Sequence, residues 1–329
     1  MTMTLLGPGP ADVRTAAEAL RRGGLVAFPT ETVYGLGADA SDSDAVAKIF
    51  AAKGRPADHP VIVHLGAADA LTDWAQDVPD VAWALAERFW PGPLTLILRR
   101  GAHVPLAVTG GQDTVGLRVP AHPVALDLLT EFGGGLAAPS ANRFGRVSPT
   151  TAAHVLSELG TVVDHVVDGG PCTVGLESTI LDLTGNRPRL LRPGGLTRAD
   201  LSEVLGDEPQ TPQAGGPRAP GRLESHYAPT TPLQVVPADD VGAVVRACTT
   251  SGRTAAVLSL APPDGEQPGV RWVTMPNGSR EYGQVLYARL READTWRRDL
   301  LVVERPPVTP AWEAVHDRLG RAAADRPTT

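Results

Sequence analysis

The sequence predicts an α/β protein built from two unequal α/β domains. Three observations predict it. Over residues 11–206, segments with helical spacing of apolar residues alternate with short strand-like runs. Residues 207–232 (DEPQTPQAGGPRAPGRLESHYAPTTP) then break the pattern with proline and glycine and no apolar period. Beyond them a second, shorter alternating series begins. A chain of 329 residues exceeds the roughly 100–200 of one domain, so 1–206, a linker at 207–232, and 233–329 are the expected parts.

The elements follow in order. Residues 11–22 space their apolar side chains as a helix, and 25–28 form a short buried strand stopped by Pro29. Residues 44–53 are a helix with Ser43 as N-cap, ended by Gly54 and Pro56. A strand at 61–65 and an amphipathic helix at 81–90 follow, the latter closed by Pro91-Gly92-Pro93. Strands at 94–98 and 115–119 precede a helix at 123–132, and a short strand at 136–138 runs into Pro139-Ser140-Ala141-Asn142. A helix at 151–159, strands near 162–167, 178–183 and 188–192, and a helix at 197–205 complete the first domain. After the linker come strands at 233–236, 254–260, 270–274 and 300–303, with helices at 239–250, 279–293 and 311–323. This is a small βαβ-type domain with a parallel core.

Charge narrows the function. The net charge is −7, with 16 basic and 22 acidic side chains in 1–206 and 14 and 15 in 207–329. Neither part has the cationic excess of a bulk nucleic-acid binder, so any RNA contact is local. No apolar run approaches the about 20 residues that cross a bilayer, and Met1–Pro10 has no basic head or apolar stretch of a secretory leader. Cys172 and Cys248 are far apart and make no metal-ligand pair. A cytoplasmic protein without membrane attachment is the expectation. Of 30 basic residues only Lys48 and Lys53 are lysines. Either chance left them, or a compact ammonium is needed where arginine does not serve.

Four segments concentrate polar residues at strand ends, where open α/β sheets bind ligands. In FPTETVYGLGADA (28–40) a strand enters a Thr-Glu-Thr turn and then Gly35 and Gly37, which permit close backbone approach or simply cap a turn. In AKGRPADHPVIVH (52–64) Lys53 and Arg55 leave a helix end, either converging on an anion or capping the helix dipole, and both are expected to be exposed. In DTVGLRVPAHP (113–123) Arg118 lies among apolar strand neighbours and needs a carboxylate, from the protein or from a ligand. In APSANRFGRVSPT (138–150), echoed by GLESTI (175–180), Ser140 and Asn142 follow a strand and Ser148 stands as the N-cap of the next helical turn. Such hydroxyls and a helix start can cradle a phosphate or serve only as caps. A Walker A loop, zinc-binding cysteine pairs and a Gly-x-Ser-x-Gly elbow are all missing from the sequence.

Together and in this order, FPTETVYGLG, Lys53-Gly54-Arg55-Pro56, WPGPLT (90–95), GLRVP (116–120), APSAN (138–142) and LRPG (191–194) resemble the YrdC family over the whole first domain. SHYAP (225–229) resembles the long form of the threonylcarbamoyl-AMP synthases, which carries an extra C-terminal domain. The resemblance implies a YrdC-like twisted mixed sheet with helices around a concave, positively charged cavity, plus a smaller Rossmann-like α/β domain. It implies a nucleotidyltransferase that joins L-threonine, bicarbonate and ATP, with Mg2+, into threonylcarbamoyladenylate and pyrophosphate. The product would pass to a separate tRNA threonylcarbamoyl transferase complex, and direct tRNA binding is left open.

By the same resemblance Lys53, Arg55, Ser140 and Asn142 surround the triphosphate. Thr114, Ala138, Ser148, Arg192 and Tyr227 line the nucleotide, joined by His59, where the family pattern prefers asparagine. Thr32, His64, Arg118 and Ser178 hold threonine, and no ligands for the metal are named. No side chain acts as a nucleophile, Cys172 included. The linker is expected to close as a lid, with Tyr227 over the nucleotide, or else to serve as a tether. The competing readings are an RNA-binding module without catalysis and a related carbamoyl-adenylate-forming transferase.

Overall fold

The apolar residues of the first 200 positions come in runs too short for long strands, and the chain answers with many short ones. The computed structural model describes residues 3–211, 216–221, 226–263 and 265–324. It divides into two units, Met1–Phe144 with Ser148–Arg222, and Gly145–Val147 with Leu223–Thr329.

In the first unit the order is β1 (Thr4–Leu6), α1 (Pro10–Arg21), β2 (Val26–Phe28), β3 (Gly35–Asp39), α2 (Ser43–Lys53), β4 (Ile62–His64), α3 (Leu71–Trp74), β5 (Ala75–Gln76), α4 (Asp80–Phe89) and β6 (Leu94–Arg100). It continues through α5 (Leu106–Thr109), β7 (Thr114–Arg118), α6 (Pro123–Phe132), β8 (Leu136–Ala137), α7 (Ala152–Leu159), β9 (His165–Val167), β10 (Thr179–Asp182), β11 (Arg189–Arg192) and α8 (Arg198–Leu205). The strands form one mixed sheet in the order β1-β9-β2-β3-β8-β4-β7-β6-β10-β11, with β5 beside β6.

Strand register sorts the side chains onto two faces, because alternate residues point to opposite sides. One face carries Ala27, Leu36, Val63, Leu96, Leu98, Val115 and Leu117, which share the main core with α2, α4 and α7. Each of the Val and Leu side chains among them stabilises the fold by about 1.5–3 kcal/mol when fully buried. The other face is divided. Val26, Phe28, Leu136 and Ala138 pack with α1 and α6. The β4–β11 portion carries a small apolar cluster of Ile62, Ile97, Ile180, Leu191 and Ala219 and the polar groups described below.

Several local expectations need correction. Helix α2 is capped by Asp42, whose carboxylate accepts from Asp44 N at 2.9 Å, and Ser43 is its first helical residue. Helix α7 begins at Ala152 under Thr151, not at Ser148, because the Ser148 hydroxyl donates to Glu177 instead. Strand β3 lay hidden in a glycine-rich stretch; its Gly37 lies against the Phe28 ring, where a Cβ would stand 2.8 Å from a ring carbon.

The residues expected as an unstructured linker do not behave as one piece. Gln210 exchanges backbone hydrogen bonds with Pro188 and Leu190, and Arg218 donates to the Gly110 carbonyl at 2.6 Å, all within the first unit. The Ser225 end of SHYAP lies outside the described residues.

The second unit has β12 (Leu233–Val236), α9 (Ala238–Thr250), β13 (Ala255–Ser259), β14 (Val270–Thr274), α10 (Ser279–Thr295), β15 (Leu300–Glu304) and α11 (Glu313–Ala323). Its sheet is parallel throughout, in the order β12-β15-β13-β14. Val241, Val245 and Cys248 of α9 pack on Ala255, Val257 and Val302. Gly145–Val147 join this unit through Ala228 N to Gly145 O at 2.9 Å, Arg146 to the Thr230 hydroxyl at 2.7 Å, and Arg291 to the Val147 carbonyl.

Candidate active site

The polar groups of the first unit fall into register on the divided face. Along β7, Thr114, Gly116 and Arg118 point the same way, and the pairs Ile62↔Gly116 and His64↔Arg118 add Ile62 and His64. Leu96↔Leu117 places Thr95 one step on, level with Arg118, and Thr95↔Ile180 carries the face to β10 and Ser178. Ile180↔Arg192 extends it to β11. On the other side Ala138 N donates to Ile62 O at 2.9 Å, and Gly35 bridges Ser140. Gly116 keeps the floor low, since a Cβ there would stand 3.1 Å from Ile97 and 3.5 Å from Thr95.

At the β4–β7 edge Arg118 is 3 % exposed. Its Nη2 donates to Glu31 Oε1 at 2.6 Å and its Nε to the Gly92 carbonyl at 3.2 Å. The buried strand cation therefore has a protein carboxylate, while Nη1 donates to no protein group among the described residues. Beside it His64 is buried, and its Nδ1 has no hydrogen-bond partner. Burial, and then the Arg118 charge, push the His64 pKa down to about 3, so the ring is neutral at physiological pH.

Thr32 follows Glu31 in a turn pinned by Thr30, whose hydroxyl accepts from Thr32 N at 3.1 Å and pairs with the Thr32 hydroxyl at 2.8 Å. Across the face the Ser178 and Thr95 hydroxyls meet at 2.7 Å. Arg192 donates to the Ser178 hydroxyl at 3.1 Å and to its carbonyl at 3.0 Å.

The second cluster gathers around Lys53. The side chain is 3 % exposed, and Nζ donates to the carbonyls of Ser140 and Asn142. Phe144 N returns a bond to Lys53 O at 2.8 Å, so the 140–144 loop is fastened to the end of α2. Burial, and then the neighbouring Arg55, hold the Lys53 pKa well below the usual lysine value. Arg55 is buried as well and donates to the Pro60 carbonyl at 2.7 Å.

The expectation that both cations are exposed beyond a helix end is thus corrected. Lys53 is the last residue of α2, and the αL turn at Gly54 (φ 63°) folds the chain back over it. His59 stands edge-on to Phe144 at 5.5 Å, and burial followed by Arg55 lowers its pKa.

The remaining residues lie apart from these clusters or follow different partners. Thr114 is at the far end of β7 from Arg118, about 13 Å along the strand at 3.3 Å per residue. Ser148 donates to Glu177 at 2.6 Å, and both are buried. Tyr227 belongs to the second unit, where it is buried at φ 61°. Its ring stacks on Tyr287 at 5.6 Å beneath the Arg318 guanidinium. Sequence spacing did not single out Glu31 and Glu177; their only signal was an acidic residue next to hydroxyl residues, on both sides in TET and on one side in LEST.

Comparison with known proteins settles the family. A family model described as "Telomere recombination" (Sua5, YciO and YrdC) matches residues 18–194, and one described as "Threonylcarbamoyl-AMP synthase, C-terminal domain" matches 196–324. The chain belongs to the threonylcarbamoyl-AMP synthase family. A threonylcarbamoyl-AMP synthase of Bacillus subtilis is 40 % identical over 98 % of the chain and 95 % of the relative. The fold resembles that of Pyrococcus abyssi Sua5 complexed with L-threonine, at TM-score 0.91 and 38 % identity, with 98 % of each chain covered. A putative threonylcarbamoyl-AMP synthase of Mycobacterium tuberculosis is 43 % identical but matches only 58 % of this chain, over 88 % of its own length. Among the described residues no helix is long and apolar enough to cross a membrane.

Proposed function

We propose that the chain joins L-threonine, bicarbonate and ATP into L-threonylcarbamoyladenylate and pyrophosphate, for threonylcarbamoyladenosine formation in tRNA. One observation carries the threonine half: Arg118 Nη1 and His64 Nδ1 lie on paired strands of one face, and neither has a protein partner among the described residues. A cationic donor beside a neutral imidazole suits the carboxylate and a polar group of one amino acid. Thr32 and Ser178 complete this half of the reading. The solved relative that holds L-threonine supports it.

The triphosphate is assigned to Lys53, Arg55, Ser140 and Asn142, and the rest of the nucleotide to His59, Thr114, Ala138, Ser148 and Arg192. The proposal rests on the first unit; the nucleotide contact of Tyr227 is carried by the resemblance alone. Among the described residues no group of three or more His, Cys, Asp or Glu side chains comes together to hold a metal. Magnesium is accordingly proposed only as the ion that accompanies the triphosphate, where it screens phosphate charge.

The chemistry follows from charge. The threonine amine, once neutral, forms a bond to the carbon of carbon dioxide and loses a proton, giving a carbamate; starting from bicarbonate, a C–O bond also breaks and water leaves. A carbamate oxygen attacks the α-phosphorus of ATP, and the bond to the bridging oxygen breaks as pyrophosphate leaves. Attacker and target are both anionic, so holding and screening matter more than general-base catalysis. Lys53 and Arg55 supply that screening; the Lys53 ammonium is favoured once phosphate oxygens are beside it.

The Cys172 thiol is a poor nucleophile. Burial, with Glu31 as the next cause, pushes the Cys172 thiol up to about 12, so it stays protonated. The product is proposed to pass to a separate tRNA threonylcarbamoyl transferase complex. The test is pyrophosphate release with one component withheld at a time. Release is expected to need ATP, threonine and bicarbonate together, and equal turnover without threonine would overturn the assignment.

A further inference from the structure

Of the two buried glutamates of this face that have no assigned task, Glu31 and Glu177, it is Glu31 that meets the Arg118 guanidinium. It is 6 % exposed and lies within a turn fixed from both sides, since Thr30 accepts from Thr32 N and Val33 N while Glu31 O accepts from Val174 N at 2.7 Å. Both carboxylate oxygens are committed: Oε1 takes Arg118 Nη2 at 2.6 Å, and Oε2 takes Ala121 N at 3.0 Å. With Nε held by the Gly92 carbonyl, the guanidinium is fixed at two of its three nitrogens, and Nη1 is the one left for a ligand.

Resting on the threonine reading above, we propose that Glu31 is a positioning and specificity residue that makes this site select a zwitterionic α-amino acid over a plain carboxylate. Arg118 and Glu31 cancel, and Arg192, the other buried cation of this face, is held on β11, three strands from β7, so a ligand carboxylate at Nη1 leaves the Arg118–Glu31 group one negative charge in excess. In a site this dry that excess is costly unless the ligand brings its own cation. An α-ammonium two bonds from the carboxylate carbon supplies it, within a few ångströms of the Glu31 charge. Without Glu31 the freed guanidinium would accept any small carboxylate equally well. It would also lose its orientation, since a fork held at only one point swings.

The experiment is calorimetric binding to the full chain, without ATP, of L-threonine and of 3-hydroxybutyrate, which keeps the carboxylate and hydroxyl but has no amine. The parent is expected to prefer threonine by at least about tenfold. Glu31→Gln keeps the size but removes the charge, and is expected to weaken threonine while holding or improving 3-hydroxybutyrate, so the preference falls to about threefold or less. Glu31→Asp keeps the charge on a shorter arm. It is expected to weaken both ligands yet retain the parent's preference, and it covers the case where Glu31→Gln does not fold.

A purely structural Glu31 would weaken both ligands alike in Glu31→Gln, and an unchanged ratio would overturn the proposal. Loss of the preference in Glu31→Asp would do the same. A parent that binds no threonine would overturn the threonine reading and this inference with it, whereas a parent that binds threonine with an unmoved ratio overturns this inference alone.

Discussion

Replacing Lys53 by methionine removes one nitrogen and keeps nearly all of the buried volume, so the change isolates the ammonium from the packing of its stem. In the folded chain Nζ supplies donors to two carbonyls, those of Ser140 and Asn142. Hydrogen bonds from a charged group contribute about 1.5–3 kcal/mol each. Opposing them is the cost of keeping the charge out of water, the same burial that depresses the pKa below its ordinary 10.5.

These opposing terms separate with pH. The folded chain gives up its proton at lower pH than the unfolded chain, so between the two pKa values the unfolded state binds more protons and stability rises with pH. The gain is complete above the unfolded value and is lost as pH falls through the folded one. Urea unfolding of the full chain, parent against Lys53→Met, should therefore show a gap that widens in the parent's favour as pH rises toward the ordinary lysine value of 10.5. The slope should be at most about 1.4 kcal/mol per pH unit, the limit for one proton. Other groups titrate in both proteins and drop out of the difference. A gap that stays constant across this range, or narrows, would refute the buried, depressed amine.

The Arg118→Leu variant should lose about 3–5 kcal/mol of stability, because it strands the Glu31 carboxylate in a buried turn, and should no longer bind threonine. Chemical denaturation measures the first, and a midpoint equal to the parent's would show that the pair contributes nothing. If ATP phosphates meet Lys53, binding in the pH range just below the ordinary lysine value of 10.5 should draw in a proton, because burial holds the free amine's pKa down and the phosphates raise it again. Calorimetry in two buffers of different ionisation enthalpy reads that uptake, and none at all would remove Lys53 from the phosphate contact. Cys172, in a Cys248→Ala background, should react with a thiol reagent at about pH 8 only as fast as the fold opens. Rapid labelling of the native chain would contradict its protonated, enclosed state.

The parallel order of the second unit was legible because its strands are apolar runs bounded by loops and separated by amphipathic helices. Strand β3 was not, since Gly35 and Gly37 erase the apolar alternation that marks a strand, and only the neighbouring Phe28 ring explains them. Arg118 announced a buried cation through its apolar neighbours, but its carboxylate lies 87 residues away. No local pattern encodes such a pairing. Lys53 was misplaced for a related reason: helix-end spacing reports where a chain turns, not what folds over it. The 140–144 loop that covers Lys53 meets it 87 to 89 residues further along the chain, just after the strand beside the one that leads into α2.

The path of the chain between its two units has a consequence for anyone dividing it. Because Gly145–Val147 belong with the C-terminal half, the backbone passes from one unit to the other three times, after Phe144, after Val147 and after Arg222. A single cut in the proline-rich stretch therefore does not yield two self-sufficient pieces. A fragment ending at Gly206 keeps Lys53, Ser140 and Asn142, yet strips Ala228, Thr230 and Arg291 from the three residues that continue the same loop. The Mycobacterium tuberculosis relative aligns with only 58 % of this chain. Removing the C-terminal half of this chain is thus also an edit to the loop that fastens Lys53, and residues 145–147 are the positions such a shortened chain would have to rebuild.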